Sequence, residues 1–201
     1  MLVFFDDIMI FSKDWSYHIK HVETILKHLE ENKFYANKSK CSFGQREIEF
    51  LGHIVSMDGI KLDPKKIATI IEWPSPKSIT SLRGFLGLEG YYKRFVRNYA
   101  QIVVPLTSLL KNDAFKWDKD DEACFERLKT LMTSSPVLTT PNFTKTFILE
   151  CDASGTGIGV VLIQDNHPIA FQSWKLKPNE KTKYTYEKEM LEIMHALIKW
   201  K

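Results

Sequence analysis

Leu2-Val3-Phe4-Phe5-Asp6-Asp7-Ile8-Met9-Ile10-Phe11 sets two adjacent aspartates between two short apolar runs. Each run is too short for a helix and rich in aromatic and branched side chains, which predicts a β-hairpin whose tight turn is, or adjoins, Asp6-Asp7. Such a turn holds two carboxylates at the tip of a buried ribbon. Crowded carboxylates repel each other unless cations sit between them, and hard oxygen donors select Mg²⁺ or Mn²⁺. Two such ions can clamp the attacking and leaving oxygens of a phosphoryl transfer. The alternative is an ordinary acidic turn, since Asp is common in turns for local hydrogen-bonding reasons and tight hairpin turns favour Gly or Asn.

The 201 residues are enough for one large domain or two small ones, and 44% hydrophobic with 26% charged residues is ordinary for a globular protein. No apolar run approaches the roughly 18–20 residues that span a membrane, and no secretory signal is visible. Cys41, Cys124 and Cys151 are odd in number and widely spaced, which argues against a disulfide framework and for a reducing, intracellular compartment. Charge is unevenly placed. Residues 61–111 carry nine Lys/Arg against three Asp/Glu, whereas residues 1–60 carry seven against nine and residues 112–201 carry twelve against thirteen. A basic middle third suggests a polyanion, with nucleic acid the commonest candidate. A solvated basic face is the alternative.

Downstream of the hairpin, Trp15 to Asn32 has an amphipathic helical period, capped by Ser12 or Asp14 and laid on a sheet. His18 and His21 share that helix, but no carboxylate or cysteine at useful spacing completes a metal site. Ile48 to Ser56 reads as a strand containing Gly52, where something approaches the backbone closely, and Met57-Asp58-Gly59-Ile60 as a turn. Asp63-Pro64 opens a helix that ends near Trp73-Pro74-Ser75-Pro76. Ser78 to Tyr99 reads as one helix capped by Ser78 or Thr80, with Arg83, Gly87 and Tyr91 on one stripe and Lys93, Arg94 and Arg97 nearby. A glycine between a cation and an aromatic lets a backbone or sugar come close; tight helix packing at Gly84 and Gly87 explains the pattern equally well.

A second helix runs from about Ile102 to Lys111. Residues 112–142 form a connector with a short strand at Phe115-Lys116-Trp117 and a helix from Asp120 to Ser134. Three strands then span Phe143 to Trp174, the first ending in Cys151-Asp152-Ala153-Ser154 and the second following a Gly155-Thr156-Gly157 turn. The closing helix has Tyr186, Met190, Ile193, Met194, Leu197 and Ile198 as its apolar positions, and the chain stops within it.

Several stretches, in this order, resemble the polymerase polyprotein of Gypsy-type LTR retrotransposons, especially the plant kind. Val3-Phe4-Phe5-Asp6-Asp7-Ile8 resembles the reverse-transcriptase palm motif YxDD, with Phe4 in the tyrosine position. Phe50-Leu51-Gly52-His53 resembles the primer grip. Leu82-Arg83-Gly84-Phe85-Leu86-Gly87 through Tyr91-Tyr92-Lys93-Arg94-Phe95 resembles the thumb helix that lies in the minor groove of the template–primer duplex. Cys151-Asp152-Ala153-Ser154 with Tyr186-Glu187-Lys188-Glu189-Met190-Leu191 resembles the opening of an RNase H domain.

The resemblance implies an α+β chain. A partial palm (1–62) and helical thumb (63–111) are followed by a connection segment (112–142) and a partial RNase H-like α/β domain of three strands and a first helix (143–201). It implies Asp6 and Asp7 as palm carboxylates, and Asp152 and Glu189 as the first RNase H carboxylates, all ligands of Mg²⁺ or Mn²⁺. Phe50, Leu51, Gly52, His53, Arg83, Gly87, Tyr91, Lys93 and Arg94 are implied to contact nucleic acid, as template–primer duplex or RNA/DNA hybrid. The parent enzyme also takes deoxynucleoside triphosphates, works with the rest of its polyprotein, needs no membrane, and resides in a cytoplasmic virus-like particle or the nucleus. The third palm aspartate and the remaining RNase H carboxylates fall outside these residues, so the isolated chain is expected to be inactive. A non-catalytic nucleic-acid-binding module and a remnant of a decayed element are the alternatives.

Overall fold

The computed structural model describes residues 1–111, 115–153 and 157–200; Ser154 and the first two residues of the expected turn at 155–157 lie outside the described residues. The chain is α+β, with three separate antiparallel sheets among the described residues. Strands β1 (Leu2–Phe4) and β2 (Asp7–Met9) pair with Phe4 opposite Asp7, so the turn is Phe5-Asp6 and Asp7 opens the second strand. The ribbon is not buried as expected. Only Met9 is withdrawn from solvent, because no third strand pairs with the hairpin among the described residues.

Helix α1 (Trp15–Glu31) is capped by Asp14, whose carboxylate accepts from the Tyr17 N–H at 3.0 Å, while the Ser12 hydroxyl turns to His21 at 2.8 Å. None of its residues is buried, so it is not laid on a sheet as its period suggested. Strands β3 (Glu47–Phe50), β4 (His53–Ser56) and β5 (Gly59–Leu62) form a meander. The single strand expected over Ile48–Ser56 is split. Leu51 and Gly52 both take left-handed backbone (φ 49° and 69°), as a two-residue hairpin turn requires.

Helix α2 (Pro64–Ile71) starts on the Asp63 cap. Helix α3 (Ile79–Tyr92) starts on Ser78, whose hydroxyl accepts from the Ser81 N–H at 3.2 Å. It does not run on to Tyr99 as the period implied. A 3-10 turn at Lys93–Phe95 follows, and Asn98 then sits in left-handed backbone at φ 56°. The second expected helix is two short ones, α4 (Tyr99–Ile102) and α5 (Val104–Leu109), broken where Pro105 begins a new first turn. Residues 115–117 form no strand; Trp117 instead donates its indole N–H to Glu122 of helix α6 (Lys119–Thr133) at 2.6 Å. Strands β6 (Ile148–Ala153), β7 (Gly157–Gln164) and β8 (His167–Lys175) make the third sheet, followed by α7 (Pro178–Lys181) and α8 (Thr185–Lys199).

The main core lies between α2, α3, α5 and α6, where the tilted rings of Phe85 and Phe125 meet with centroids 4.6 Å apart beside fully buried Ile70, Leu82, Leu106, Leu128 and Met132. Leu138 clips this core to β5 through two backbone bonds with Ile60, at 2.7 and 2.8 Å. Gly59, at φ 131°, must be glycine there, because a Cβ would run into the Leu138 carbonyl. The next residue, Thr139, bonds the Pro168 carbonyl on β8 at 2.8 Å, so two consecutive residues tie the second sheet to the third.

Helix α8 meets the third sheet with a face the sequence did not indicate. Glu192 and Ala196 are buried, beside Ile158, Val160 and Leu176, whereas Tyr186, Met190, Ile193, Met194, Leu197 and Ile198 are all exposed. The small Ala196 lets the helix axis approach the strands, and the apolar stripe is left facing outward.

Glu89 of α3 is wholly enclosed in the main core. One oxygen accepts from the Tyr99 hydroxyl at 3.3 Å and the other has no partner. Burial pushes its carboxyl up to about 8, only partly offset by that hydroxyl, and burial together with Glu89 raises the Tyr99 hydroxyl as well. A carboxyl raised on folding holds a proton that the unfolded chain releases near 4.5, so its contribution is complete below that pH and is lost as pH rises through about 8. Wild-type stability to urea is expected to decline from pH 5 to pH 9. Glu89→Gln is expected to flatten that decline, leaving the variant roughly 2–4 kcal/mol more stable than wild type at pH 9.

Candidate functional site

Asp6 and Asp7 stand at the exposed tip of the β1–β2 hairpin. Phe5 before them is in left-handed backbone at φ 52°, with 85% of its surface exposed. A bulky aromatic in that region is strained, and such strain concentrates at ligand-gripping turns. Neither carboxylate has a hydrogen-bond or ion-pair partner among the described residues, and both residues are exposed to solvent.

The turn at Leu51-Gly52 is bolted to the end of α3. The Tyr91 hydroxyl donates to the Leu51 carbonyl at 2.8 Å and the Tyr92 hydroxyl to the Gly52 carbonyl at 3.3 Å. His53, buried between Tyr91, Tyr92 and Phe95, completes the joint. Arginine can only donate, so the Arg94 guanidinium 2.7 Å from Nε2 leaves the imidazole proton on Nδ1, which donates to the Leu51 carbonyl at 2.8 Å. Burial and then the Arg94 charge hold the imidazole below its usual pKa, which keeps it neutral as this pattern needs. Phe50 is half-buried at the end of β3. The residues implied as a primer grip are therefore assembled with Tyr91 and Arg94, with His53 facing inward as a brace.

Arg83, Gly87 and Tyr91 do share an exposed stripe of α3, and Lys93, Arg94 and Arg97 are exposed beyond its end. The two glycines differ. A Cβ at Gly84 would meet Trp73 at an ordinary contact distance of 3.5 Å, whereas Gly87 has nothing within 4 Å. Gly87 opens a bare strip of backbone on the solvent side, between a cation and an aromatic ring.

Asp152 and Glu189 come together from β6 and α8 to line a cleft of about 610 Å³ with Leu149, Cys151 and Ile193. Beneath it lies a third carboxylate. Glu192 is fully buried, and neither of its oxygens has a hydrogen-bond partner. Burial, then the charges of Asp152 and Glu189, push its carboxyl up to about 7. Burial and the same glutamates raise the Cys151 thiol. Among the described residues no three His, Cys, Asp or Glu side chains converge tightly enough to hold a metal ion as they stand. Two carboxylates at an open cleft nonetheless suit a divalent ion that keeps much of its water shell, and their negative charge favours one. On the opposite side, the Asn98 amide donates to Asp152 Oδ2 at 3.0 Å. Glu192 and Asn98 are absent from the sequence reading. The signal for Glu192 is a charge one turn after Glu189; nothing local in the sequence marks Asn98, whose partner is 54 residues away.

Residues 1–55 match the reverse transcriptase (RNA-dependent DNA polymerase) family, and residues 117–201 match the RNase H-like domain found in reverse transcriptase. The chain is 41% identical over 97% of its length to the Pol polyprotein of the Drosophila melanogaster transposon 297, and 38% identical over 97% to that of transposon gypsy. It spans only about a fifth of each polyprotein (19% and 20%). An uncharacterized mitochondrial protein of Arabidopsis thaliana is 46% identical over 65% of this chain and 84% of its own length. Two solved structures of the foamy viral protease-reverse transcriptase, one with RNA/DNA hybrid and one with double-stranded DNA, superpose with a TM-score of 0.86 over 94% of this chain. They share 24% and 25% of its residues in sequence, and the chain covers 26% and 34% of them.

A carboxyl raised to about 7 releases its proton within the ordinary working range. The stability it contributes is whole below about pH 4.5 and lost as pH rises through about 7. Glu192→Gln is expected to gain about 1–3 kcal/mol over wild type at pH 8.5 and almost nothing at pH 4.5, read from urea unfolding at the two pH values.

Proposed function

The chain belongs to the Pol polyproteins of retrotransposons, with their reverse transcriptase and RNase H-like domains, and we propose that it supplies the duplex grip and part of both carboxylate sites of an RNA-directed DNA polymerase with ribonuclease H activity. In this reading residues 1–62 belong to the palm, 63–111 are the thumb, 112–142 the connection and 143–201 the RNase H-like domain.

The observation that carries the proposal is the exposed stripe of α3. Arg83 at one end, with Lys93 and Arg97 beyond the other, offers cations at intervals along a helix whose middle is bare at Gly87. Cations on phosphates supply affinity without reading sequence, which suits an enzyme that must accept any template. The open backbone at Gly87 admits a sugar edge, and the Tyr91 ring, half-exposed with its hydroxyl fixed on Leu51, walls the same strip. Because Tyr91 and Arg94 also brace the Leu51-Gly52 turn, a duplex lying on α3 is held at a fixed distance from β3 and β4.

Asp6 and Asp7 at the hairpin tip, and Asp152 with Glu189 in the cleft, are the residues that would hold Mg²⁺ or Mn²⁺. Such ions, when bound, neutralise the charge on the attacking and leaving oxygens of the phosphate. The strained Phe5 turn presents the first pair outward, and the β6–α8 junction presents the second. Deoxynucleoside triphosphates and the remaining parts of the polyprotein are the partners of the complete enzyme.

Fluorescence anisotropy of a labelled RNA/DNA hybrid tests the grip directly. Affinity is expected to fall linearly with the logarithm of salt concentration. Arg83→Ala and Lys93→Ala should each weaken binding and reduce the slope by about one, while Asp6→Asn leaves the slope unchanged. No binding at low salt, or equal binding by wild type and both alanine variants, would contradict the proposal.

A further inference from the structure

The end of α3 and the start of α4 do more than connect one part of the chain to the next; they reach the carboxylate cleft. Asn98 occupies left-handed backbone at φ 56°, which Asn tolerates better than most residues, and this turns its amide onto the third sheet. Its Oδ1 is buried against Gly159 of β7, where a Cβ would collide with it. Its Nδ2 donates to Asp152 Oδ2 at 3.0 Å. A carboxylate only accepts, so the amide is fixed with its donor toward Asp152. Two residues on, the Ala100 N–H donates to the Ser173 hydroxyl of β8 at 2.8 Å, anchoring the same turn independently of Asp152.

We infer that Asn98 is a positioning residue for the metal site of the cleft: it holds one oxygen of Asp152 and leaves the other free to meet a divalent ion shared with Glu189. The residue comes from the segment that follows helix α3, 54 residues before Asp152 in the chain. This inference rests on the metal-binding reading of Asp152 and Glu189 given above. Hydrogen bonds to a ligating carboxylate fix its geometry, and their loss typically costs about 10–100-fold in metal affinity.

The probe is Mn²⁺ alone, titrated into the full chain and read as paramagnetic broadening of the backbone amide resonances of Cys151 and Gly159. Asn98→Gly keeps the left-handed backbone and removes only the amide. Gly159→Ala displaces the amide from the other side. Both are expected to raise the Mn²⁺ concentration for half-broadening about 10–100-fold, whereas Ser173→Ala, which loosens the same docking without touching Asp152, leaves it at the wild-type value. If Asp152→Asn abolishes the broadening while Asn98→Gly and Gly159→Ala behave as wild type, the inference about Asn98 is overturned and the metal site stands. Equal loss in Ser173→Ala also overturns it, since docking alone would then account for the effect. If wild type and Asp152→Asn broaden alike, the metal-binding reading itself fails and the inference with it.

Discussion

The docking of residues 98–102 on the third sheet is the contact on which the arrangement of the chain depends. Two glycines two residues apart on β7, Gly157 and Gly159, leave a trough in the sheet face, and the side chains of Gln101 and Asn98 fill it. A methyl group at either glycine would collide with them, so the sequence reserves this space for the turn. On the far side of the molecule, Leu138 and Thr139 bond to β5 and β8 in succession. With a bolt on each flank, the helical core and the β6–β8 sheet are fixed relative to each other. The exposed stripe of α3 therefore stands at a fixed position relative to the Asp152 cleft.

A similar economy of contacts operates at the Leu51-Gly52 turn. Its two carbonyls and the following imidazole take up two tyrosine hydroxyls and an arginine from one end of α3. The bonds of Tyr92 to Gly52 and of Arg94 to His53 are half-buried, which makes them costly to leave unmade. The side chains that set the angle of α3 thus also brace the motif implied as a primer grip. His53 is neutral and enclosed, so its contribution is rigidity.

Much of this was legible in the sequence, and the failures have identifiable causes. Asp14, Asp63 and Ser78 cap the helices they were expected to cap, because a cap is a local interaction written in adjacent residues. The hairpin at Asp6-Asp7 and the stripe of Arg83, Gly87 and Tyr91 were visible for the same reason, since period and turn chemistry operate over a few residues. The split at Leu51-Gly52 was missed because both positions adopt left-handed backbone and only one is glycine. The packing face of α8 is not legible in the sequence, because its regular apolar stripe is exposed while a small residue, Ala196, and an enclosed acid, Glu192, are buried. Glu89 and Asn98 lay beyond reach altogether: their roles come from partners brought near by the fold, in the second case across 54 residues.

The central claim is that helix α3, with its exposed stripe of cations, and the carboxylate cleft belong to one rigid unit. Trp73 packs against the α2–α3 core and Trp174 against the β6–β8 sheet, so each reports one half. Labelling the chain with 5-fluorotryptophan and following both resonances through urea unfolding measures the coupling directly. A rigid unit predicts that both native signals vanish at the same urea concentration, as a single cooperative transition requires. Loss of the Trp174 signal while that of Trp73 persists would contradict the account.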